Sequence, residues 1–449
     1  MNKRTRPTLS RVVVWSGTFC VILVSGLVDI YPSFLLAQEK GGIGELDTQK
    51  EKAAVSKAGL TSWKLARGDR SSQGVSQAVL GENLKLLWKV RFKESLFEAT
   101  PIVAKGRLYL PDLDNKMICL DAKTGETIWE KEYELGFNGS VSFYNDHLYI
   151  GDIDGKFLCI EAKEGEIVWQ FQTDGEIAGG ANFYKESVLF CSQDSLVYAL
   201  SATDGKLLWK YETGDQIQST PTIVGKDVIV TGCDGKLHIL GIETGQPTVE
   251  AITYKSPTGV TPAVYGDFAY FGTEEGEFVA LDIKTGKKVW DFVDPQFGQP
   301  IRSSASVTEK SVFYGGHDKR IRALDRITGK ERWQYVAKQS FDASPILCGD
   351  YLYIGGNRGR LLKLHRQTGK KEWEYQANGD IPGSVAIIQS FDDKTQQQSE
   401  NLGSRKGTGQ DVKENQRNNK AQGGFLFLAT TRGEVHCLES IAKETVAKD

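Results

Sequence analysis

Apolar residues in this chain come in short runs cut by turn residues, and nowhere do they settle into a helical period. The stretch from Ser219 to Val249 is the clearest unit. Ser219-Thr220-Pro221-Thr222-Ile223-Val224 predicts a strand, Gly225-Lys226-Asp227 a turn, and Val228-Ile229-Val230 a second strand. Asp234-Gly235-Lys236 predicts a tight hairpin, because glycine takes φ > 0 without steric cost. Leu237-His238-Ile239-Leu240 is a third strand, and Thr244-Gly245 turns into a fourth that ends near Val249. Four short strands joined by short turns make an antiparallel meander.

That unit repeats. Trp88, Trp129, Trp169, Trp209, Trp290, Trp333 and Trp373 are separated by 41, 40, 40, 81, 43 and 40 positions, and Val249 stands where the 81 skips a tryptophan. A turn glycine precedes most of them by four residues, as at Gly125, Gly165, Gly205, Gly286, Gly329 and Gly369, and Gly245 keeps that place before Val249. A fixed period of this length means stacked supersecondary units, in a solenoid or a propeller. First strands begin near Thr100, Ser140, Ala181, Thr220, Thr261, Ser304, Ser344 and Ser384; third strands end near Leu120, Ile160, Leu200, Leu240, Leu281, Leu324, Leu364 and Leu438. The chain ends decide between the two architectures. Leu86-Leu87-Trp88-Lys89-Val90 reads as a fourth strand with no first three, and the last unit, Ile381 to Glu439, has three strands and no fourth. Pairing the two closes a ring and leaves no open edge, whereas a solenoid would want polar caps. The expected fold is all-β: an eight-bladed β-propeller of four-stranded antiparallel blades over residues 63–439, with the tryptophans as large apolar plugs between blades.

Charge changes the picture little. The net charge of −3 is spread over interleaved acids and bases, without the basic stripe that nucleic acid would favour. The N-terminus changes it more. Lys3, Arg4, Arg6 and Arg11 precede an apolar run from Val12 to Val28, and Ala37 stands before Gln38, so residues 1–37 read as a secretory signal peptide or an uncleaved membrane anchor. Either reading places the propeller outside the cytoplasm, in the periplasm or secreted. Residues 38–62 read as a flexible polar linker, 391–423 as a disordered insertion in the last blade, and 440–449 as a tail. Cys119, Cys159 and Cys437 share one repeat position with Ala199, Ala280 and Ala323, and are expected as free buried thiols.

No pair among His147, His238, His317, His365 and His436 has zinc-ligand spacing, and His238 and His436 fall four blades apart. Asp152-Ile153-Asp154-Gly155 opens like a calcium loop but lacks its closing acid, and reads as a hairpin. No Gly-x-Ser-x-Gly elbow or phosphate loop occurs. The Ser/Thr-rich first strands are expected to line the central channel. Arg302-Ser303-Ser304 puts a cation beside those hydroxyls, to be paired with a neighbouring blade's carboxylate or to meet an anion.

Asp154-Gly155-Lys156…Gly165-Glu166-Ile167-Val168-Trp169 and Thr285-Gly286-Lys287-Lys288-Val289-Trp290 resemble the pyrroloquinoline quinone (PQQ) propeller repeat. Trp63-Lys64-Leu65-Ala66-Arg67-Gly68-Asp69 resembles the lead-in of secreted bacterial members. The resemblance implies three classes of function. One is a non-catalytic envelope propeller that binds other proteins, such as the outer-membrane protein assembly factor BamB. Another is a quinoprotein dehydrogenase holding PQQ and Ca²⁺ on the propeller axis. The third is a ligand-sensing ectodomain. Many quinoprotein alcohol dehydrogenases carry two adjacent cysteines over the cofactor, and no two cysteines are adjacent here. The expectation is therefore a monomeric, protein-binding scaffold of the cell envelope, with no catalytic, cofactor-binding or metal-binding residue assigned.

Overall fold

Every regular element in the computed structural model, which describes residues 61–391 except Lys255 and Phe297, and residues 423–441, is a strand. The signal or anchor segment, the linker up to residue 60, the interior of the 391–423 insertion and the residues beyond 441 lie outside the described residues. The first blade sets the pattern, with strands Ile102–Ala104, Arg107–Pro111, Lys116–Asp121 and Thr127–Glu132 paired antiparallel in chain order. Its second and third strands are buried almost throughout, because both of their faces pack on neighbouring blades, whereas the outer strand alternates between exposed and half-buried positions. Eight such sheets form the eight-bladed propeller.

The ring closes as the orphan strand predicts. Asn83–Arg91, which contains Leu86–Val90, pairs antiparallel with Glu434–Ile441, placing Leu86 opposite Leu438 and Trp88 opposite Cys437. The last blade thus holds Ala386–Ile388, Phe425–Ala429 and Glu434–Ile441 from one end of the chain and its outer strand from the other.

The periodic tryptophan has a specific backbone cause. In seven outer strands the register slips by one residue just before it. In the first blade, Thr127 faces Leu120 and Trp129 faces Cys119, leaving Ile128 as the extra residue of a β-bulge. The same slip precedes Trp88, Trp169, Trp209, Trp290, Trp333 and Trp373. A bulge bends its strand and re-aims a side chain. Here the re-aimed indole lies over the turn glycine of the next blade, so closely that a Cβ on Gly205 would stand 2.6 Å from Trp169, and one on Gly245 2.5 Å from Trp209. The indole N–H then donates to the carbonyl three residues before that glycine: Trp169 to Ala202 (3.1 Å), Trp209 to Ile242 (3.0 Å), Trp333 to Arg366 (2.9 Å). The tryptophans are therefore inter-blade plugs with a polar fastening.

One strand departs from expectation. The fourth strand of the Ser219 unit does not end near Val249. Its regular pairing is confined to Ile252–Thr253, opposite Lys236 and Leu237, with an isolated bridge between Leu240 and Pro247. Pro247 has no N–H to give to the ladder, and this outer strand carries no bulge.

Candidate functional site: the axial channel and the blade rims

The inner strands of a propeller surround its axis, so chemistry on the axis must come from their side chains and from whatever threads between them. Two systems occupy that space. Near one end, in six of the eight blades a first-strand N–H is received by a hydroxyl of the next blade, as in Thr220 N by Thr261 Oγ1 (3.0 Å), Thr261 N by Ser304 Oγ (3.0 Å) and Ser304 N by Ser344 Oγ (2.9 Å). Ser384 N donates to Thr100 Oγ1 at 3.0 Å and so joins the last blade to the first. The Ser/Thr content expected to line the channel is thus committed to holding blades together.

Toward the other end, the lead-in from Trp63 to Ser76 crosses the inner strands of successive blades as a strap. Its backbone carbonyls accept N–H groups from one repeat position around the ring. Trp63 takes Val103 (2.9 Å), Lys64 takes Phe143 (2.9 Å), Arg70 takes Ile223 (2.8 Å), Ser71 takes Val264 (2.9 Å), Gln73 takes Val307 (3.0 Å) and Gly74 takes Leu347 (2.9 Å). The third blade joins through Asn182 Nδ2 to the Arg70 carbonyl (2.9 Å), and the eighth through Ser76 Oγ to the Ile387 carbonyl (3.3 Å). Val75–Ser76 also adds to the seventh blade as a short parallel strand. Arg67 projects from the strap into the ring. Its guanidinium donates to the carbonyls of Ala305 (2.8 Å) and Pro345 (3.1 Å) and to Ser384 Oγ (3.2 Å), tying three blades to one side chain. Burial pushes its pKa down to about 10, against the pull of Asp69.

At the channel mouth Arg302 does not stand free. Its guanidinium grips Glu274 of the neighbouring blade through Nε at 3.1 and 3.2 Å and Nη2 at 3.1 Å, the local pairing that was the alternative to an anion. Burial raises the half-buried Glu98 carboxyl above its ordinary range, and Asp342 and Asp380 add to the effect.

The histidines are not gathered. His147 meets the Asn145 carbonyl in a turn, His317 meets Asp342, and His365 lies edge-on to Tyr351. His238 and His436 repeat one inter-blade arrangement that the sequence reading did not find. Tyr211 of the preceding blade lies 3.2 Å from His238 Nδ1, and Asp234 lies 2.8 Å from its Nε2. Tyr375 and Glu434 hold His436 in the same way, at 2.8 and 3.1 Å. The signal was present as a tyrosine two residues after a periodic tryptophan facing a histidine in the next blade. Asp152 Oδ1 accepts the N–H groups of Asp154 (3.0 Å) and Lys156 (2.8 Å), which is a hairpin's use of a carboxylate. Cys119, Cys159 and Cys437 are free and buried, each opposite a tryptophan in register. In the seventh blade that position holds buried Lys363, whose ammonium donates to the carbonyls of Gly81 (3.1 Å) and Glu82 (2.7 Å) and lies 3.9 Å from the Tyr351 ring. Among the described residues, no three His, Cys, Asp or Glu side chains stand together in a way that could hold a metal ion.

The family model described as outer membrane protein assembly factor BamB matches residues 71–136, 118–261 and 194–448. Among solved structures, BamB from Moraxella catarrhalis superimposes with a TM-score of 0.61 at 17% identity, covering 80% of this chain and 100% of that one. The quinohemoprotein alcohol dehydrogenase from Comamonas testosteroni gives 0.67 at 14% identity, covering 89% and 85%. The computationally designed protein Ika8 gives 0.62 at 15%, covering 78% and 97%. At these identities the likeness is one of fold. No match came from the search of curated proteins.

Proposed function

The chain belongs to the family of the outer membrane protein assembly factor BamB, and from that membership we propose that it is a cell-envelope propeller that binds other proteins and performs no catalysis. The observation that supports this best is the state of the axis. The hydroxyls at one level fasten blade to blade, and the strap with Arg67 fills the other level. A quinone with its calcium ion does not fit these residues. The axis presents a buried guanidinium engaged with three blades, no two cysteines of the chain are adjacent, and among the described residues no three His, Cys, Asp or Glu side chains stand together in a way that could hold the ion. What remains available is the periphery: eight outer strands and the turns between them, held at fixed angles by a stiff ring, the arrangement in which surface loops and strand edges receive partners. The outer strands carry charges among their exposed positions, as in Thr127–Glu132 and Glu331–Val336, which guards their edges against indiscriminate pairing.

The test is isolation of the tagged full-length chain from detergent-solubilised envelope, with the captured protein then used as bait in reverse. Reciprocal recovery of an outer-membrane assembly component is the expected result. Dye-linked oxidation of an alcohol by the purified chain after loading with PQQ and Ca²⁺ would overturn the proposal.

A further inference from the structure

Seven blades present a turn glycine to the outer strand of the blade before, and six of those glycines are covered by an indole. Gly125, Gly165, Gly205, Gly245, Gly329 and Gly369 are buried beneath Trp88, Trp129, Trp169, Trp209, Trp290 and Trp333. Gly286 is the seventh. Its φ of +68° matches the others, but the residue at the tryptophan position is Val249, and only Ile252 comes within 4 Å of where a Cβ would stand, at 3.7 Å. Gly286 is correspondingly only half-buried. The carbonyl three residues before it, the acceptor used in the six covered turns, belongs here to Ile283, and no tryptophan stands there to donate to it. Above this turn lies an open cavity of about 310 Å³, lined by Val249, Ala251, Ile252, Thr285, Gly286 and Lys288. That volume falls at the small end of ligand-binding pockets.

We propose that this gap is a binding site for a tryptophan side chain carried on an extended segment of a partner polypeptide. The same ring shows the occupant's geometry six times: an indole face laid on a glycine with positive φ, and its N–H pointed at the carbonyl three residues earlier. Glycine is required because a side chain would occupy the place of the ring. Every resident indole arrives on an extended strand, which is the reason for assigning the visiting one to a polypeptide rather than to a free small molecule. The blade that lacks the tryptophan also lacks a full outer strand, with regular pairing only at Ile252–Thr253. The rim residues Lys284 and Lys288 are paired with Asp267, Glu277 and Asp291, and the exposed Glu250 also borders the cavity, its carboxylate open to solvent. The assignment to a partner rests on the protein-binding reading above; the indole geometry does not.

A short unstructured peptide with one 5-fluorotryptophan, followed by ¹⁹F NMR against the full-length chain, tests this. Gly286→Ala places a methyl where the ring must lie, and Val249→Trp supplies the missing resident. Each is expected to weaken binding about tenfold or more, the scale of a central aromatic anchor. Gly266→Ala imposes the same kind of backbone strain at φ +60°, with nothing within 4 Å, and is expected to bind as the parent does. Absence of binding by the parent, or equal binding by Gly286→Ala and Gly266→Ala, overturns the proposal. N-acetyltryptophanamide binding as tightly as the peptide overturns the polypeptide assignment. If envelope partners are still recovered through Gly286→Ala, the scaffold reading survives and this site does not.

Discussion

His436 shows how a single side chain in this ring acquires a consequence. It is buried between blades, with Tyr375 on one ring nitrogen, Glu434 on the other and Lys89 paired to that glutamate. Burial lowers its pKa below the ordinary value, although Glu434 pulls the other way. A base with a depressed folded pKa takes up its proton in the unfolded chain first. Its contribution to stability is therefore present above about pH 6.5 and declines as pH falls below that value. Glu434, whose own pKa is lowered, loses its contribution only further down, below the ordinary glutamate range. His436→Gln is expected to cost about 1–2 kcal/mol at pH 7.5 and to flatten the fall in stability between pH 7 and 5. Urea unfolding at half-unit pH steps checks this, and an unchanged slope would remove His436 as the cause.

At the scale of the element, the outer strand and the next blade's turn form one working unit: bulge, indole, glycine, carbonyl. Gly245→Ala must place its Cβ 2.5 Å from Trp209 at a φ of +67°, whereas Gly225→Ala, at +60°, meets nothing. The first is expected to cost about 3 kcal/mol or more and the second about 1 kcal/mol, the difference measuring the indole contact with backbone strain held constant. Thermal unfolding of the two variants decides it. Much of this unit was legible in the sequence, since a tryptophan every forty residues and a glycine four before it are side-chain signals. The bulge was not, because it is a slip of backbone pairing with no residue type of its own. The fourth strand near Val249 was misplaced because Pro247 removes a ladder donor just where the repeat would continue, so pairing resumes later, at Ile252.

For the whole molecule, closure and blade number could be read from an orphan strand at one end and a missing strand at the other. The strap could not. It binds the ring mostly through backbone carbonyls, which every residue possesses, with side-chain help from Arg67, Gln73 and Ser76, residue types that carry no periodic signal. The same absence of side-chain signal hid the hydroxyl circuit, where serine and threonine looked like channel lining and proved to be fasteners. Arg67→Met leaves three acceptors in different blades without their donor and is expected to destabilise the ring by about 2–4 kcal/mol. Hydrogen exchange should then quicken at the amides of Val264, Val307 and Leu347, which the strap covers, before it quickens in the second and third strands. Uniform quickening across all strands would mean that the strap is not a separate layer.

The strap also sets a schedule. Arg67 leaves the ribosome before almost all of its partners, and those partners lie 238, 278 and 317 residues further along. At ordinary rates of synthesis the gap is on the order of tens of seconds. Through that interval the strap can engage only the blades already made, through Val103, Phe143 and Ile223, while the Arg67 guanidinium and the strand Asn83–Arg91 wait for their partners and the early blades stand in an open arc with an unprotected edge. A chain fastened in this way cannot mature piece by piece from its N-terminus. A late act of its folding draws together Asn83–Arg91 and Glu434–Ile441, which lie far apart in the chain, and until then it depends on being kept from its neighbours.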